Sequence, residues 1–248
     1  MTGQAGRGAA LHGSNGEVDG RAASAWRFPT DNADIRVWCW DLDAEADAAR
    51  DHQVLSPAEL ERAGRFRVLD AARRFVTCRA ALRRVLGDLT GQPPRALRLR
   101  AEPLGKPVMD GGPCFNLSHS RGWAMLAVAA FPVGIDIEAV RPTHPQVEHL
   151  VFTAAERRDL DRVPAAERSA AFFRAWTRKE AAIKAVGGSI ADAPSFTVTL
   201  GIAPGIRAAG HGGPWQLADL PAPAGFAATL AARRTGWKVL WPDGAAIS

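Results

Sequence analysis

Val133-Gly134-Ile135-Asp136-Ile137-Glu138 is a strand-like stretch in which two acidic residues alternate with two isoleucines. Residues two apart on a strand project from the same face, so we expect Asp136 and Glu138 to point one way and Ile135 and Ile137 to enter a core. Two carboxylates held this close repel each other unless a cation lies between them. The stretch therefore predicts a core strand with a cation site on its other face.

A helix pattern follows at residues 176–184, which read WTRKEAAIK in one-letter code. Its positions i, i+3, i+4, i+7 and i+8 are Trp176, Lys179, Glu180, Ile183 and Lys184. Residues at this spacing share one helix face, so an acid and two bases lie beside two apolar anchors. We therefore expect a third carboxylate and two ammonium groups to meet the acidic strand around one divalent ion and a phosphate.

The length and composition of the chain indicate a globular protein with one large domain or two small ones. It has 248 residues, of which 47% are hydrophobic and 23% are charged,. The formal net charge is +5, and the excess lies between residues 61 and 100, where eleven arginines stand against three acids. Such a segment suits an anionic ligand or an acidic protein partner, although a solvated arginine-rich helix would have the same composition.

The cysteines and the apolar runs indicate the compartment. Cys39, Cys78 and Cys114 are odd in number and lack metal-ligand spacing, so we interpret them as reduced thiols,. No run approaches the roughly 18 apolar residues of a membrane span, and the N-terminus lacks an apolar signal-peptide core. We therefore expect a cytoplasmic protein without a membrane partner.

Local patterns predict helices and strands along the chain. Residues 1–33 lack periodicity and are predicted to be a disordered leader,. Strands are predicted at residues 35–40, 96–100, 114–117, 123–130, 133–138, 196–200, 226–232 and 237–241,. Helices are predicted after the capping residues Ser56 and Thr153, from about Asp70 to Gly87, and from Pro164 to Gly187,. Residues 118–122 are typical of a polar turn between two strands.

A faint internal repeat with an offset of one hundred residues links two of these helices. Arg74, Thr77, Ala81 and Gly87 recur as Arg174, Thr177, Ala181 and Gly187. Each of the two helices also follows a short capped helix, as an internal duplication requires. We therefore predict an α+β fold of two similar halves, residues 34–131 and 132–248, with the acidic strand in the second half.

Four blocks of the sequence together resemble one known family. The stretches at residues 133–138 and 176–184 resemble the two signature blocks of the 4′-phosphopantetheinyl transferases,. Gly105-Lys106-Pro107 and Phe115-Asn116-Leu117-Ser118-His119-Ser120 resemble the two upstream blocks of the larger, Sfp-type branch. The blocks occur in the order of the family, over roughly residues 35–240. The resemblance implies a pseudo-dimer of two similar α/β halves with the active site at their interface.

The resemblance also implies a reaction. These enzymes transfer the 4′-phosphopantetheine arm of coenzyme A to a serine of an apo acyl, peptidyl or aryl carrier protein and release 3′,5′-ADP. Such carriers serve fatty acid, polyketide and nonribosomal peptide biosynthesis. The transfer depends on Mg²⁺, with Mn²⁺ as an open alternative, and the length of this chain favours the monomeric Sfp type over the short trimeric type.

The site residues follow from the resemblance position by position. Asp136, Glu138 and Glu180 match the metal ligands, and Glu180 is also the expected general base. The expected catalytic residues are Glu180, Lys184 and His119. The expected coenzyme A contacts are Arg62, Arg74, Lys106, Pro107, Ser118, His119, Lys179 and Lys184.

At three positions a purely structural role is an alternative to a role in the site. Lys179 fits a solvated helix charge as well as a phosphate contact. Glu59 falls where relatives can carry a base, which puts in doubt whether its helix helps to bind the nucleotide. Glu156 matches a family acid near the site, but a capping box explains it equally well, so it is left out of the core site.

Two other classes of function stay open. A Mg²⁺-dependent phosphohydrolase could use the same three carboxylates with water as the nucleophile. A non-catalytic nucleic-acid-binding protein would explain the basic segment, but it predicts surface aromatic residues there, whereas Phe66 and Phe75 fit core positions. It also leaves Asp136, Glu138 and Glu180 without a role, so we expect no nucleic-acid partner.

Overall fold

The structure is a computed structural model that describes residues 33–44, 46–103, 105–201, 206–209 and 212–242. The predicted leader therefore lies outside the described residues except for Ala33. The strands are β1 Ile35–Asp41, β2 Arg100–Ala101, β3 Pro107–Val108, β4 Cys114–Ser120, β5 Trp123–Ala129, β6 Gly134–Ala139, β7 Phe196–Val198, β8 Ile206–Ala209, β9 Gln216–Asp219, β10 Phe226–Ala232 and β11 Val239–Leu240. The helices are α1 Ala48–His52, α2 Pro57–Gly64, α3 Leu69–Thr90, α4 Pro145–Val151, α5 Ala154–Leu160 and α6 Ala165–Ala185.

The described strands form two main sheets. One has the order β11-β1-β5-β4 and is antiparallel except for the parallel pair of β1 and β11. The other has the antiparallel order β6-β10-β9. In two small sheets β2 pairs with β3 and β7 with β8. Strand β11 belongs to the predicted second half but pairs with β1, so strand pairing joins the two predicted halves.

The largest core lies between the two main sheets. It contains Val37, Met125 and Ala127 of the first sheet and Ile135, Ile137 and Leu230 of the second. Helix α3 covers the outer face of the first sheet through Leu82 and Leu86, and α6 covers the outer face of the second through Ala181 and Ile183. The layers follow the order helix, sheet, sheet, helix, so the described chain mixes α and β structure as predicted.

Strand β6 has the apolar face that its sequence predicts. Ile135 and Ile137 are fully buried in the largest core. Gly134, on the opposite face, lies against α6, where an added Cβ would come within 1.9 Å of the Ala181 carbonyl oxygen and 2.5 Å of Ala185 N. No side chain fits this approach, so the glycine determines how closely the strand packs on the helix.

At two places in the described part of the chain, a carboxylate that caps one helix also forms an ion pair with the next helix. The capping-box carboxylate of α2, Glu59, binds Arg79 of α3. The capping-box carboxylate of α5, Glu156, binds Lys179 of α6. The two basic residues lie one hundred positions apart, so this shared construction agrees with the offset of the internal repeat.

Helix α3 ends later than predicted. It continues through Gly87 to Thr90 and ends at Gly91, whose φ of 69° is the left-handed conformation common at helix ends,. Gly87 serves close packing instead, because an added Cβ would lie 2.9 Å from the Gln92 carbonyl oxygen.

Two further segments differ from the prediction. Strand β4 extends to Ser120, so the predicted polar turn shrinks to residues 121–122. The predicted strand at residues 96–100 is mostly irregular, because a 3₁₀ helix at Pro94–Ala96 precedes the short strand β2.

The three cysteines are free thiols, as predicted. Burial raises the pKa of Cys39 to about 11 and that of Cys78 to about 12. Both are therefore protonated at neutral pH and poor nucleophiles. None of the helices in the described ranges is long and apolar enough to cross a membrane.

Candidate active site

A cavity of about 1140 Å³ opens where α2, α3 and β4 face the C-terminal end of α6. Seven of the predicted site residues line it: Arg62, Arg74, Lys106, Pro107, His119, Glu180 and Lys184. The first five precede the predicted boundary at residue 131, and the last two follow it. The structure thus brings together predicted site residues from both predicted halves.

Positive charge dominates the described lining of this cavity. Its cationic side chains are Arg62, Arg74, Arg79, Lys106, Arg121 and Lys184. Its carboxylates are those of Glu102 and Glu180. Guanidinium and ammonium groups bind phosphate through both charge and N–H donors, so this lining suits a ligand with several phosphates.

Lys184 connects the cavity to the acidic strand. Its Nζ donates to Asp136 Oδ1 over 2.6 Å and to Ser118 Oγ over 3.2 Å, and it lies 4.0 Å from Glu180 Oε2. Burial alone would lower the pKa of Lys184, but the carboxylates of Asp136, Glu180 and Glu138 outweigh burial and raise it,. Lys184 therefore stays charged at neutral pH.

Lys184 only partly neutralises the carboxylates of Asp136 and Glu180. Burial raises the pKa of Asp136 and of Glu180, Lys184 opposes that shift, and the charge of Glu138 adds to it. Asp136 Oδ2 is buried and has no hydrogen-bond partner in the described part of the chain. A buried carboxylate oxygen without a donor is a position that a cation would stabilise.

The predicted metal ligands supply oxygen donors but do not by themselves complete a metal site. Among the described residues, no three His, Cys, Asp or Glu side chains form a complete metal-binding group. Asp136 Oδ2 and the carboxylates of Glu138 and Glu180 are nonetheless oxygen donors, the kind that Mg²⁺ prefers, and Mg²⁺ commonly completes its shell with water and phosphate oxygens. These residues therefore fit an ion that is shared with a phosphate ligand.

Ser118 was predicted to contact coenzyme A, but its side chain contacts the acidic strand and does not line the cavity. It is 6% exposed, whereas its neighbour His119 lines the cavity. Neighbouring residues of a strand point to opposite faces, and the two residues lie in β4 rather than in a turn,. The Ser118 hydroxyl donates to Asp136 Oδ1 over 2.8 Å, which makes it a partner of the carboxylate.

The prediction that Lys179 contacts coenzyme A is wrong, and its alternative as a solvated charge is wrong as well. The side chain is fully buried, and Nζ donates to Glu156 Oε2 over 2.8 Å, to Val151 O over 2.8 Å and to Ala193 O over 2.9 Å. An ammonium group has three donors, so none is left for a phosphate. Glu156 also accepts a hydrogen bond from Val198 N. The pair therefore connects α6 to α4, α5 and β7.

Arg62 and Arg74 lie on the wall that α2 and α3 form. Arg74 Nε and Nη2 donate to the Asp43 carboxylate over 2.9 and 2.7 Å. The Arg62 guanidinium lies 5.1 Å from the centre of the Phe75 ring,. Phe66 and Phe75 were predicted to be core residues. Phe75 packs against a core cluster as predicted, whereas Phe66 is 37% exposed. Both rings also line the cavity, with their centroids 5.3 Å apart.

Lys106 and His119 line the cavity between the arginines and Lys184. Lys106 Nζ donates to the carbonyl oxygen of Lys184 over 3.1 Å, and burial lowers its pKa. The His119 side chain is exposed to solvent. Partial desolvation in the cavity and the charges of Lys184 and Arg62 nevertheless lower its pKa below the ordinary value of 6.5, while Glu138 opposes them. His119 is therefore neutral at pH 7 and can offer one N–H donor and one acceptor.

Two contacts of the site were missed by the sequence reasoning. Asp43 holds Arg74 from the turn after β1, and no sequence pattern marks it. Ser120 donates to Glu138 Oε2 over 2.9 Å. Ser118 and Ser120 alternate with the same period as the acidic pair of β6, and this alternation was a usable signal. Glu59, the doubtful position of α2, binds arginines of α3 and is therefore structural.

The chain is similar in sequence to several known proteins. The family model of the 4′-phosphopantetheinyl transferase superfamily matches residues 132–228. The 4′-phosphopantetheinyl transferase HetI of Nostoc sp. is 34% identical over 223 residues, which cover 86% of this chain and 88% of that protein. The 4′-phosphopantetheinyl transferase psf-1 of Bacillus pumilus is 39% identical over 141 residues, and Sfp of Bacillus subtilis is 30% identical over 149 residues. The matches to psf-1 and Sfp cover 56% and 59% of this chain, and 60% and 66% of those proteins.

The chain belongs to the 4′-phosphopantetheinyl transferase superfamily. This confirms the predicted family, its Sfp-type branch and the prediction of a transferase enzyme. The segment matched by the model of the 4′-phosphopantetheinyl transferases contains β6 and α6, and with them the acidic pair, Glu180 and Lys184. Lys106 and His119 lie outside that segment, but they line the same cavity as Glu180 and Lys184, which lie within it.

Proposed function

We propose that the chain transfers the 4′-phosphopantetheine arm of coenzyme A to a serine hydroxyl of an apo carrier protein and releases 3′,5′-ADP. The observation that carries this proposal is the mainly cationic cavity whose Lys184 binds Asp136 and whose wall includes Glu180. Coenzyme A carries a pyrophosphate and a 3′-phosphate, and such a lining suits both groups. The names of the relatives give further support.

Cationic groups of the cavity are proposed to hold the nucleotide end of coenzyme A. We assign Arg62 and Arg74 to the 3′-phosphate, because the planar fork of Arg74 now binds a carboxylate and a phosphate is a comparable acceptor,. Lys106 and His119 are assigned to the pyrophosphate, and Pro107 is assigned to the cavity wall, where its ring fixes the backbone beside Lys106,. The neutral His119 would donate one N–H to a phosphate oxygen,.

The carboxylates are proposed to hold a divalent ion, Mg²⁺ or Mn²⁺. Asp136, Glu138 and Glu180 would be its protein ligands. When bound, such an ion neutralises the charge on the transferred phosphate. Lys184 and Ser118 hold Oδ1 of Asp136, which leaves Oδ2 for the ion.

Glu180 and Lys184 are proposed to act on the reacting atoms. The raised pKa of Glu180 makes its carboxylate a better proton acceptor than an ordinary glutamate,. Glu180 takes the proton of the carrier serine as the serine oxygen bonds to the β-phosphorus of coenzyme A. The bond from that phosphorus to the bridging oxygen breaks, and 3′,5′-ADP leaves with the electron pair. Lys184, which stays charged, stabilises the leaving phosphate,.

Mass spectrometry of carrier domains tests the proposal. The protein is incubated with coenzyme A, Mg²⁺ and apo acyl, peptidyl or aryl carrier domains, and each carrier is then weighed. We expect at least one carrier to gain the mass of one phosphopantetheine arm while 3′,5′-ADP appears. No gain on any carrier type would contradict the proposal, and release of free phosphopantetheine without a carrier would favour a phosphohydrolase. A monomeric state and a cytoplasmic location stay predictions.

A further inference from the structure

Polar side chains of β4 form a ladder along one edge of β6. The two strands belong to different sheets and are not paired through their main chains. Ile135 N donates to Asn116 Oδ1 over 2.8 Å, Ile137 N to Ser118 Oγ over 3.4 Å, and Ala139 N to Ser120 Oγ over 3.2 Å. We refer to Asn116, Ser118 and Ser120 as the polar ladder.

The polar ladder has a period of two on both strands. Alternate side chains on one face of β4 meet alternate N–H groups on one edge of β6,. These N–H groups point away from β10, the strand that pairs with the other edge of β6, so the ladder supplies the acceptors that a neighbouring strand would provide,. A slip of one residue would turn all three side chains to the opposite face, so the register of the two strands is fixed.

Two members of the polar ladder also reach the carboxylates of β6. Ser118 Oγ donates to Asp136 Oδ1 over 2.8 Å, and Ser120 Oγ donates to Glu138 Oε2 over 2.9 Å. A serine hydroxyl has one proton to donate, and in both residues a backbone N–H binds the same oxygen. Each hydroxyl is therefore held by a backbone N–H and a carboxylate, and the Ser118 hydroxyl also by Lys184, so that the proton of each is directed at a carboxylate.

The two carboxylates differ in the other groups that hold them. Asp136 also accepts a hydrogen bond of 2.6 Å from Lys184. The further described partner of Glu138 is Arg141, whose Nη1 lies 3.5 Å from Oε2 and whose side chain is 50% exposed. Ser120 therefore makes the short, part-buried contact that orients Glu138.

We propose that Ser120 is a positioning residue for the divalent ion: it holds the Glu138 carboxylate in the orientation that the ion requires and does not bind the ion itself. This inference rests on the proposed function, because it takes Glu138 as a ligand. Hydrogen bonds that orient metal ligands typically change metal affinity by about 10- to 100-fold when they are removed. Ser120 can orient Glu138 in this way because the hydrogen bond from Ala139 N fixes the position of the Ser120 hydroxyl.

Binding of Mn²⁺ alone tests this inference, measured by isothermal titration of the full chain without coenzyme A or carrier. We expect Ser120→Ala to weaken Mn²⁺ binding about 10-fold, and Ser120→Thr, which keeps the hydroxyl, to restore most of the affinity. Thr143→Val is a matched control, because Thr143 Oγ1 donates to Glu148 Oε1 over 3.0 Å outside the site. This control should bind Mn²⁺ like the unaltered chain.

A double-mutant cycle separates positioning from a general loss of structure. In a Glu138→Gln background, Ser120→Ala should cause no further loss of Mn²⁺ affinity, because the carboxylate through which Ser120 acts is gone. Thermal unfolding without metal checks each variant, and Ser120→Cys, whose thiol is a weak donor, takes the place of Ser120→Ala if that variant does not fold.

The outcomes distinguish this inference from the proposed function. An equal loss of affinity in both backgrounds, no loss in either, or no saturable Mn²⁺ binding by the unaltered chain would overturn the role of Ser120. A chain that binds Mn²⁺ through Ser120 and Glu138 but modifies no carrier would retain this inference and refute the transfer reaction.

Discussion

Lys184 Nζ lies 2.6 Å from Asp136 Oδ1, and this contact joins the last turn of α6 to the middle of β6. Lys184 is also 4.0 Å from Glu180, so one ammonium group serves two carboxylates while Glu138 lies close enough to add its charge. Three carboxylates against one ammonium group leave negative charge at this point. This excess of negative charge favours a divalent cation beside the three carboxylates.

The first prediction is that Glu180→Gln separates stability from activity. Burial raises the pKa of Glu180, so its charge is unfavourable in the folded chain at neutral pH,. We expect the variant to unfold, without metal, at a temperature no lower than the unaltered chain, while carrier modification falls by about 100-fold or more.

Glu61→Gln is the matched control for this variant. Glu61 is an exposed glutamate of α2, 67% exposed in its pair with Arg65. It should change unfolding by less than about 0.5 kcal/mol and leave carrier modification unchanged. Full activity of Glu180→Gln would refute the role of Glu180 as ligand and base.

Gly134→Ala tests the packing of β6 against α6. The added methyl group would lie 1.9 Å from the Ala181 carbonyl oxygen, a contact that backbone atoms cannot relieve without moving the strand or the helix. We expect a loss of about 3 kcal/mol or more in the free energy of unfolding, measured with urea. Gly64→Ala, where no atom lies within 4 Å of the added Cβ, should leave stability unchanged or raise it by up to about 1 kcal/mol,.

The buried pair of Lys179 and Glu156 predicts a non-additive effect. Lys179→Ala leaves the Glu156 carboxylate buried without its counter-charge, and we expect it to cost about 3–5 kcal/mol of unfolding free energy,. The double variant Lys179→Met with Glu156→Gln removes both charges and should be more stable than Lys179→Ala. Urea unfolding of both variants measures the difference, and equal stability would show that the lost charge balance is not the cause.

The two lysines of α6 show how far the sequence could predict the site. Periodicity predicted a helix and placed Lys179 and Lys184 on one face with Glu180. Five residues correspond to a rotation of about 140° around a helix axis, so the two side chains can diverge to opposite surroundings. Which surroundings each lysine meets depends on how α5 and β6 pack against α6, and that packing is not readable from the spacing.

Strand β6 was predictable because alternation has only two outcomes. With Ile135 and Ile137 in the core, Asp136 and Glu138 had to face the other way, and their sequence neighbours identified the family,. The contact of Asp43 with Arg74 was not predicted, because it joins residues far apart in the chain and follows from the packing of α3 rather than from any local pattern. The contact of Ser120 with Glu138 also joins distant residues, but the alternation of Ser118 and Ser120 could have indicated it,.

Arg74→Ala should weaken nucleotide binding with little effect on folding. The pair of Arg74 and Asp43 is 33% and 39% exposed, so solvent screening limits its contribution to stability to less than about 1 kcal/mol,. Loss of the charged N–H donors of Arg74 should lower the affinity of the protein for 3′,5′-ADP by about 10-fold or more, measured by isothermal titration. Arg65→Ala is the control, because Arg65 is an exposed arginine directly after α2. An equal effect of both variants would show that the assigned contact contributes only general charge.

The lowered pKa of His119 predicts a pH-dependent stability. In the unfolded chain the imidazole takes up a proton near its ordinary pKa of 6.5, whereas in the folded chain partial desolvation, Lys184 and Arg62 delay that protonation to lower pH. Above about pH 6.5 both states are neutral at this residue, so it contributes no pH dependence. Below that pH the unfolded chain binds the proton first, so stability falls until the folded chain is protonated too. The fall is small, because His119 is exposed and solvent screens the charges around it,.

Urea unfolding between pH 7.5 and 5 measures this contribution against two variants. His119→Gln removes the titrating group, so its stability should fall less steeply below about pH 6.5 than that of the unaltered chain. His149→Gln, which replaces an exposed histidine of α4 away from the cavity, is the matched control. If the His119→Gln slope equals that of the unaltered chain, the imidazole is not held neutral by its surroundings, and its assignment as a neutral N–H donor to phosphate fails with it.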